Sequence, residues 1–400
     1  MTRSALCDES MPLIAAQFAA IVSHNHRMTD GWTHLNPDWP RYCWDADALA
    51  VQLAECHRAR GALLADLRSL GVKERQAEVL RTRVSDVTGS SAIEGENLDQ
   101  LLVRSSIARR LGLDTAGLPE SSRYIDGVVE MSLDATQNFS APLTHERLSG
   151  WQAALFPTGR SGTGQIITGA YRDDKQGPMQ VVSGPIGRER VHFEAPGAGR
   201  VPGEMDLFLK WFEEEELDPI IKSALAHLWF VTIHPFDDGN GRVGRAILDM
   251  ALSKADGSSL RPYSLASQLL KRRKEYYSQL ESASRGSLNV TGWLAWFLAR
   301  LCDAVNEAKE GLVMVKARHS FWTRHRDDKL NERQSRIINM LFDGFAGKLQ
   351  TAKYAKIMKC SNDTALRDLS DLVIKGILIR GESRGRSASY HLAPSSIAED

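Results

Sequence analysis

The chain carries one dense run of chemically active residues, His234-Pro235-Phe236-Asp237-Asp238-Gly239-Asn240-Gly241-Arg242-Val243-Gly244-Arg245. Apolar helical patterns flank it over 219–233 and 243–252, so it predicts a polar, glycine-rich connection between two helices. Gly239 and Gly241 lack a Cβ, so their backbone N–H groups can be approached closely. At the positive N-terminal end of a helix, such donors suit an anion. We therefore expect this connection to bind a phosphate.

Charged side chains around the two glycines indicate nucleotide chemistry. Arg242 and Arg245 are three residues apart and share a helix face, where two guanidinium groups can hold successive phosphates. Asp238 is a hard oxygen ligand of the kind that Mg²⁺ uses when it bridges phosphate oxygens. His234, with an ordinary pKa of about 6.5, can accept a proton from a nucleophile. The combination favours phosphoryl or nucleotidyl transfer over a plain Gly/Asp turn with surface arginines.

The run resembles the signature of the Fic family, His-x-Phe-x-(Asp/Glu)-Gly-Asn-Gly-Arg-x-x-Arg, and matches every fixed position. This resemblance implies transfer of AMP from Mg·ATP to a hydroxyl side chain of a target protein. It implies that His234 is the base, that Asp238 is the Mg²⁺ ligand and that Phe236 is a buried anchor for the loop. The residues that would bind ATP and its phosphates here are Gly239, Asn240, Gly241, Arg242, Val243, Gly244 and Arg245.

A second family element lies far upstream, at Ser90-Ser91-Ala92-Ile93-Glu94-Gly95. It matches the inhibitory pattern (Ser/Thr)-x-x-x-Glu-(Gly/Asn), which implies that Glu94 pairs with Arg245 and keeps the ATP γ-phosphate from its productive position. A carboxylate can occupy an anion site, and a bidentate pair with arginine is strong. The alternative is an ordinary serine-rich segment before a glutamate.

Residues 179–193 alternate β-branched and polar types around a Gly/Pro turn, which predicts two short strands. By the same resemblance they are a flap that docks the target as an added strand, with Val181 and Val182 toward the adenosine. The alternative is a plain surface hairpin. Tyr276 and Tyr277 lie where the family places tyrosines against the adenine, and core packing is the alternative for them.

The expected fold is mostly α: a Fic-type helical bundle with a β-hairpin flap, an N-terminal helical domain and a C-terminal winged helix. The predicted boundaries are an N-terminal arm or helix over 1–35, the N-terminal helical domain over 36–115, the catalytic domain over 116–305 and the winged helix over 325–395. The N-terminal domain contains the inhibitory pattern at 90–95. The winged helix is inferred from a helix, helix, helix, hairpin order.

Charge is balanced over the whole chain but not within it. Fifty Lys and Arg offset fifty Asp and Glu, which excludes a uniformly basic nucleic-acid coat protein. Residues 316–398 nevertheless carry a net charge of +8, with Arg384 and Arg386 at the expected wing. DNA binding through 325–395 and a dimerisation or docking role both stay open, because Asp363, Asp368 and Asp371 on the expected recognition helix would repel a DNA backbone.

The five cysteines are widely spaced and include no C-x-x-C pair. This pattern is typical of reduced thiols in a cytoplasmic protein. No run approaches the roughly 18 apolar residues of a membrane helix. We expect the histidines outside the motif, among them His192 and His227, to be structural.

The sequence therefore predicts an autoinhibited protein adenylyltransferase. It would use Mg·ATP, modify a Ser, Thr or Tyr hydroxyl of a target and of itself, and release diphosphate, with a homodimer compatible with this activity. Two alternatives remain: removal of AMP from a target by a water that Glu94 positions, and a nucleotide-sensing, DNA-binding regulator.

Overall fold

The computed structural model of the chain describes residues 31–342, without 114, 116, 176, 184–187 and 189, together with 345, 347–381 and 388–394. The predicted N-terminal arm lies almost entirely outside the described residues. So do the turn of the flap at 184–187 and the two wing arginines, Arg384 and Arg386.

Helices dominate the described residues, which confirms the mostly α class. The helices are α1 (Ala46–Ser69), α2 (Val72–Ile93), α3 (Gln100–Arg110), α4 (Arg123–Gln137), α5 (His145–Leu155), α6 (Val201–Glu214), α7 (Pro219–Ile233), α8 (Asn240–Asp256), α9 (Leu265–Lys271), α10 (Arg273–Ala283), α11 (Thr291–Arg324), α12 (Glu332–Phe342), α13 (Thr351–Met358) and α14 (Asn362–Ile374). Among them, none has the length and apolarity to cross a membrane.

The strands are short and form small antiparallel sheets: β1 (Arg160–Ser161) with β2 (Gly164–Gln165), β3 (Gln180–Ser183) with β4 (Arg190–Glu194), and β5 (Leu349–Gln350), β7 (Ser389–Leu392) and β6 (Leu378–Arg380) in that order. The pair β3–β4 confirms the two strands predicted within 179–193. Its register places Val181 opposite Phe193 and Ser183 opposite Arg190.

Local capping explains where the helices around the site begin. The Asp218 carboxylate accepts the Ile220 N–H at 2.9 Å, and α7 then covers the predicted 219–233. The prediction that the next helix begins at 243 is wrong, because α8 begins at Asn240. Gly239 adopts a left-handed φ of +90°, which only glycine takes readily, and so turns the chain into the helix early. The second glycine of the connection therefore lies within the first turn of α8.

The core that positions the site joins α7 and α8. Both helices are buried on nearly all sides, and α4 and α6 pack on them through side chains such as Val128 and Phe208. Phe236 is fully buried in this core, as predicted for the loop anchor. Full burial of such a side chain is worth about 1.5–3 kcal/mol, so the connection between α7 and α8 is held firmly.

Buried ion pairs attach α2 to α8. Arg261 is fully buried and donates to Asp249 of α8 at 2.5 Å and to Asp86 of α2 at 3.1 Å. Because a buried charge that loses its partner is strongly destabilising, this cluster resists sliding of one helix along the other. Glu94, just beyond the end of α2, is thereby held beside Arg245 of α8.

Residues 65–75 and the described residues from 306 onward form a second compact unit with its own apolar core around Phe321, Ile337 and Leu369. Helices α12, α13 and α14 and strands β6 and β7 follow in the predicted order, with β5 in addition. Asp368 is buried and accepts hydrogen bonds from Arg333, Asn331 and Tyr354, so its charge is paired within this unit. The winged-helix assignment stays a prediction.

The expectation of reduced thiols is wrong for one pair of cysteines. Cys56 on α1 and Cys302 on α11 form a disulfide, with their Cα atoms 5.5 Å apart. The two are separated by 246 positions, so their spacing in the sequence carries no sign of the pairing. Cys43 and Cys360 are free.

Candidate active site

The connection between α7 and α8 opens on a cavity of about 490 Å³. The predicted site residues that line it are Glu94, Val181, Val182, His234, Asp238, Gly239, Asn240, Gly241, Arg242, Arg245, Tyr276 and Tyr277. Two predicted residues do not line it. The Val243 side chain is fully buried in the core, and Gly244 faces α7, where a Cβ would lie 2.9 Å from Val231. Helix periodicity turns these two positions inward, so their predicted contact with ATP is corrected to a packing role.

The two motif glycines lie at the floor of the cavity, and neither has room for a side chain. A Cβ on Gly239 would lie 3.0 Å from Phe156 and 3.1 Å from Leu155, so the chain has no room for a side chain there. A Cβ on Gly241 would overlap the carboxylate of Glu94. An anionic group therefore already rests on the N-terminal turn of α8, where the helix dipole and free N–H groups favour negative charge.

The Asn240 side chain closes the loop on itself. Its Oδ1 accepts the Phe236 N–H at 2.9 Å and its Nδ2 donates to the Phe236 carbonyl at 2.7 Å. Asn240 is buried, so this reciprocal pair stabilises the bend before α8. Its backbone N–H lies in the first turn of α8, where N–H groups have no acceptor within the helix.

His234 ends α7 in a left-handed conformation with φ +52°. Its Nδ1 lies 3.1 Å from the Val231 carbonyl, so Nδ1–H donates and the lone pair of Nε2 remains available. Burial, aided by the charge of Arg172, lowers the pKa of His234 to about 4 against the opposing effects of the Val231 hydrogen bond and of nearby carboxylates. The imidazole is therefore neutral at pH 7, as a general base must be.

Arg172 holds the backbone of this histidine and has no counterpart in the sequence motif. Its buried guanidinium donates from Nε to the His234 carbonyl at 2.7 Å and from Nη2 to the Pro196 carbonyl, and Nη1 contacts Asp174 at 3.1 Å. Its own N–H donates to the Pro235 carbonyl at 3.0 Å. The rare φ of His234 is thus supported from outside the cavity.

Glu94 and Arg245 meet as the inhibitory pattern predicted. Arg245 Nη2 donates to Glu94 Oε1 at 2.8 Å, Arg245 Nε donates to the Ser90 hydroxyl at 2.8 Å, and the Tyr277 hydroxyl donates to Glu94 Oε2 at 3.1 Å. Burial acts to raise the pKa of Glu94, but the charge and hydrogen bond of Arg245 outweigh it and the pKa is lowered. Glu94 is therefore an ionised carboxylate. Gly95, with φ +89°, turns the chain directly after it.

Arg245 has one donor that is not hydrogen-bonded, here called the reserve donor. Its Nη1 is buried without a hydrogen-bond partner among the described atoms. It lies 3.2 Å from the position that a Cβ on Gly241 would take. A buried guanidinium N–H without a partner is unfavourable, and an anion resting on Gly241 would supply that partner.

A second carboxylate that the sequence analysis missed, Glu96, binds the other motif arginine. Arg242 Nη1 donates to Glu96 Oε2 at 3.0 Å and contacts the Tyr124 hydroxyl at 2.9 Å, and that hydroxyl also donates to Glu96. The Arg242 side chain is only 4% exposed, whereas that of Glu96 is 41% exposed. The turn after α2 therefore carries a carboxylate for each of the two arginines. The inhibitory pattern specifies only the first.

Asp238 lies at the cavity wall with its side chain 41% exposed. Its Oδ1 accepts the Gly239 N–H at 2.5 Å, and its Oδ2 accepts the Ser161 hydroxyl. The part of the chain that the structure describes holds no group of three His, Cys, Asp or Glu side chains suited to a metal. One carboxylate beside a phosphate site nevertheless fits Mg²⁺, which is commonly held by one or two carboxylates together with substrate phosphates.

The remaining walls combine apolar and aromatic surface. Val181 and Val182 of the flap are 37% and 47% exposed, and Tyr277 is 36% exposed, so a flat base has surfaces to stack on. Tyr276 is almost fully buried, and its hydroxyl lies 2.7 Å from Nε2 of His227. Tyr276 thus both packs in the core and lines the cavity.

Two parts of the chain match family models. Residues 142–252, which contain the α7–α8 connection, match the Fic/DOC family, and residues 32–113 match a domain of unknown function (DUF4172). A crystal structure of a Fic family protein from Desulfovibrio desulfuricans G20 superposes with a TM-score of 0.52 at 24% identity, covering 89% of this chain and 98% of that one. At this identity the likeness shows a shared fold.

Two curated relatives share part of the sequence. Protein adenylyltransferase Fic of Drosophila melanogaster is 35% identical over 211 residues, which are 50% of this chain and 37% of the fly protein. Protein adenylyltransferase fic-1 of Caenorhabditis elegans is 37% identical over 81 residues, 20% of this chain and 15% of the worm protein. The chain thus spans well under half the length of the curated relatives it matches.

Proposed function

We propose, from the premise that residues 142–252 form a domain of the Fic/DOC family, that this chain is an autoinhibited protein adenylyltransferase. It would transfer AMP from Mg·ATP to a Ser, Thr or Tyr hydroxyl of a target protein and release diphosphate. The observation that carries the proposal is that a neutral His234, the glycine floor of α8 and the reserve donor of Arg245 face one cavity.

In the proposed reaction, Nε2 of His234 accepts the proton of the target hydroxyl as its oxygen attacks the α-phosphorus. The bond from that phosphorus to the diphosphate oxygen breaks on the opposite side. The N–H groups at the start of α8 and the guanidinium groups of Arg242 and Arg245 hold the phosphate oxygens, where preformed donors stabilise developing charge. Mg²⁺, held through Asp238, would neutralise charge on the bridging and leaving phosphate oxygens.

The proposed autoinhibition rests on two carboxylates at the start of α8. Glu94 lies over Gly241 and binds Arg245, while Glu96 binds Arg242. Phosphates that used the same donors would have to displace one or both carboxylates. We therefore assign to the N-terminal domain the task of presenting this turn to the cavity.

The flap offers a place for the target. Within the described residues β3 pairs with β4 alone, and all four of its residues are exposed. Its outer edge can therefore accept an added strand, whose main-chain hydrogen bonds align many different sequences.

The test is transfer of label from α-labelled ATP and Mg²⁺ to proteins of a cell lysate. Wild type should label few lysate proteins, Glu94→Gly should label more, and Glu94→Gly/His234→Ala should label no lysate protein while still binding ATP. Absence of any labelled protein with an ATP-binding Glu94→Gly variant would refute the adenylyltransferase function. Release of AMP from a premodified protein by wild type, lost in Glu94→Gly, would instead support AMP removal.

A further inference from the structure

Three side chains at the flap end of the cavity form a hydrogen-bonded series that the functions above do not use. Nε2 of His192 on β4 lies 2.6 Å from Oγ of Ser183 on β3, and its Nδ1 lies 2.8 Å from Oε2 of Glu281 on α10. All three residues line the same cavity as His234 and Gly241. His192 therefore has hydrogen-bond partners on two other elements, β3 and α10.

This order of hydroxyl, imidazole and carboxylate is the arrangement that activates a serine. When Glu281 accepts Nδ1–H, the lone pair of His192 Nε2 points at the Ser183 hydroxyl. The hydrogen bond from His192, followed by that from Arg190, lowers the pKa of Glu281, which therefore stays ionised. Arg190 binds the other carboxylate oxygen, at 3.0 Å, and leaves Oε2 to the imidazole.

A purely structural role does not account for the serine. The contacts of His192 and Arg190 with Glu281 already attach β4 to α10. β3 and β4 already pair as antiparallel strands, with Ser183 opposite Arg190. A latch between flap and helix would work equally well with alanine at 183, whereas the structure has an exposed hydroxyl on the basic nitrogen of His192.

We propose that Ser183 is an adenylyl acceptor within this chain and that His192 is its base. The inference rests on the proposed function, because ATP bound in the cavity is the donor. A bond forms from Ser183 Oγ to the α-phosphorus as the bond to the diphosphate oxygen breaks. The hydroxyl proton passes to Nε2 of His192, diphosphate leaves, and the product is a phosphodiester of Ser183. Glu281 is a positioning residue that sets the tautomer of His192.

A fluorophosphonate probe tests the activated serine without ATP, because it too is attacked at a tetrahedral phosphorus carrying a leaving group. On the full-length wild-type chain, peptide mapping should find the probe on Ser183. Ser183→Ala should abolish this adduct, and His192→Gln should slow its formation about 100-fold. Ser284→Ala is the matched control, since Ser284 also lines the cavity but donates its hydroxyl to the Leu280 carbonyl, and labelling should be unchanged.

Glu281 is tested by rescue. Glu281→Ala should slow formation of the adduct, and Glu281→Asp should restore part of the rate. A role in flap attachment alone would not produce this rescue, because the reaction does not depend on ATP. Melting temperatures of all variants verify that they fold. Absence of the probe from Ser183 in the folded wild-type chain overturns the proposal.

Incubation with Mg·ATP then tests whether Ser183 accepts AMP. In the Glu94→Gly chain, mapping after incubation with Mg·ATP should find AMP on the peptide that contains Ser183. Glu94→Gly/Ser183→Ala should lose that peptide's label and still modify lysate proteins. Labelled lysate proteins beside an unmodified Ser183 overturn this inference and leave the proposed function standing. Failure of all labelling despite ATP binding overturns the adenylyl donor chemistry, and with it both proposals.

Discussion

Replacement of Glu94 by glycine removes the carboxylate that lies over Gly241 in the first turn of α8. In the folded chain its carboxylate accepts 2.8 Å and 3.1 Å hydrogen bonds from Arg245 and Tyr277, and its side chain is 30% exposed. A hydrogen bond to a charged group contributes about 1.5–3 kcal/mol, which corresponds to a factor of about 10 to 150 at roughly 1.4 kcal/mol per tenfold. Since phosphate must displace this contact, we expect Glu94→Gly to bind ATP more tightly and to transfer AMP faster by a factor in that range.

The assay combines calorimetric titration with ATP and initial rates of label transfer from α-labelled ATP. Glu94→Gln is the control, because it keeps the size of the side chain and a hydrogen-bond acceptor while it removes the charge. Its gain should lie between those of wild type and Glu94→Gly. If Glu94→Gly folds yet shows neither tighter ATP binding nor faster transfer, the carboxylate does not compete with phosphate and the reasoning is refuted.

Three further predictions concern residues around the same site. Glu96→Gln should raise transfer by up to about fivefold, because an ion pair with a solvent-exposed partner contributes only about 0–1 kcal/mol; a gain equal to that of Glu94→Gly would contradict this order. Arg172→Lys should lower kcat about tenfold or more with little change in KM for ATP, since a buried carbonyl that loses its donor costs about 1–3 kcal/mol. Steady-state kinetics measure both constants, and an unchanged kcat would contradict this role of Arg172. Burial lowers the pKa of both His227 and His234 from 6.5 to about 4, so the unfolded chain binds more protons and stability should fall as the pH drops from 6.5 to 4. Melting curves should show a shallower fall in His227→Asn, and an identical pH dependence would contradict the assignment.

The buried Asp86–Arg261–Asp249 cluster helps to position Glu94 beside Arg245. It joins α2 to α8 at a point fully inside the protein. Any signal that frees the cavity therefore has to move the turn after α2 rather than shift the helix along α8. Gly95, at φ +89°, lies in that turn and is the natural place for such a movement.

Much of the site was predictable because its parts are close together in sequence. The spacing of Gly239, Gly241 and Arg245 determines which groups a helix N-terminus presents, and helix geometry alone places them. The contact of Glu94 with Arg245 joins distant segments and was predictable only through a family pattern. Val243 and Gly244 belong to the same motif, yet their side-chain direction follows from the phase of α8, which begins three residues earlier than the apolar pattern suggested.

The sequence by itself determined the α7–α8 connection and the mostly helical class, because these depend on local periodicity and backbone freedom. Only the tertiary structure decided that Arg172 holds His234, that Glu96 binds Arg242, and that Ser183, His192 and Glu281 meet. Arg172 and His234 are 62 positions apart in the chain, Glu96 and Arg242 are 146 apart, and His192 and Glu281 are 89 apart. Ser183 and His192 are close in sequence because they belong to one hairpin. Contacts over such separations are set by how helices pack around a shared core, and no short spacing in the sequence records them.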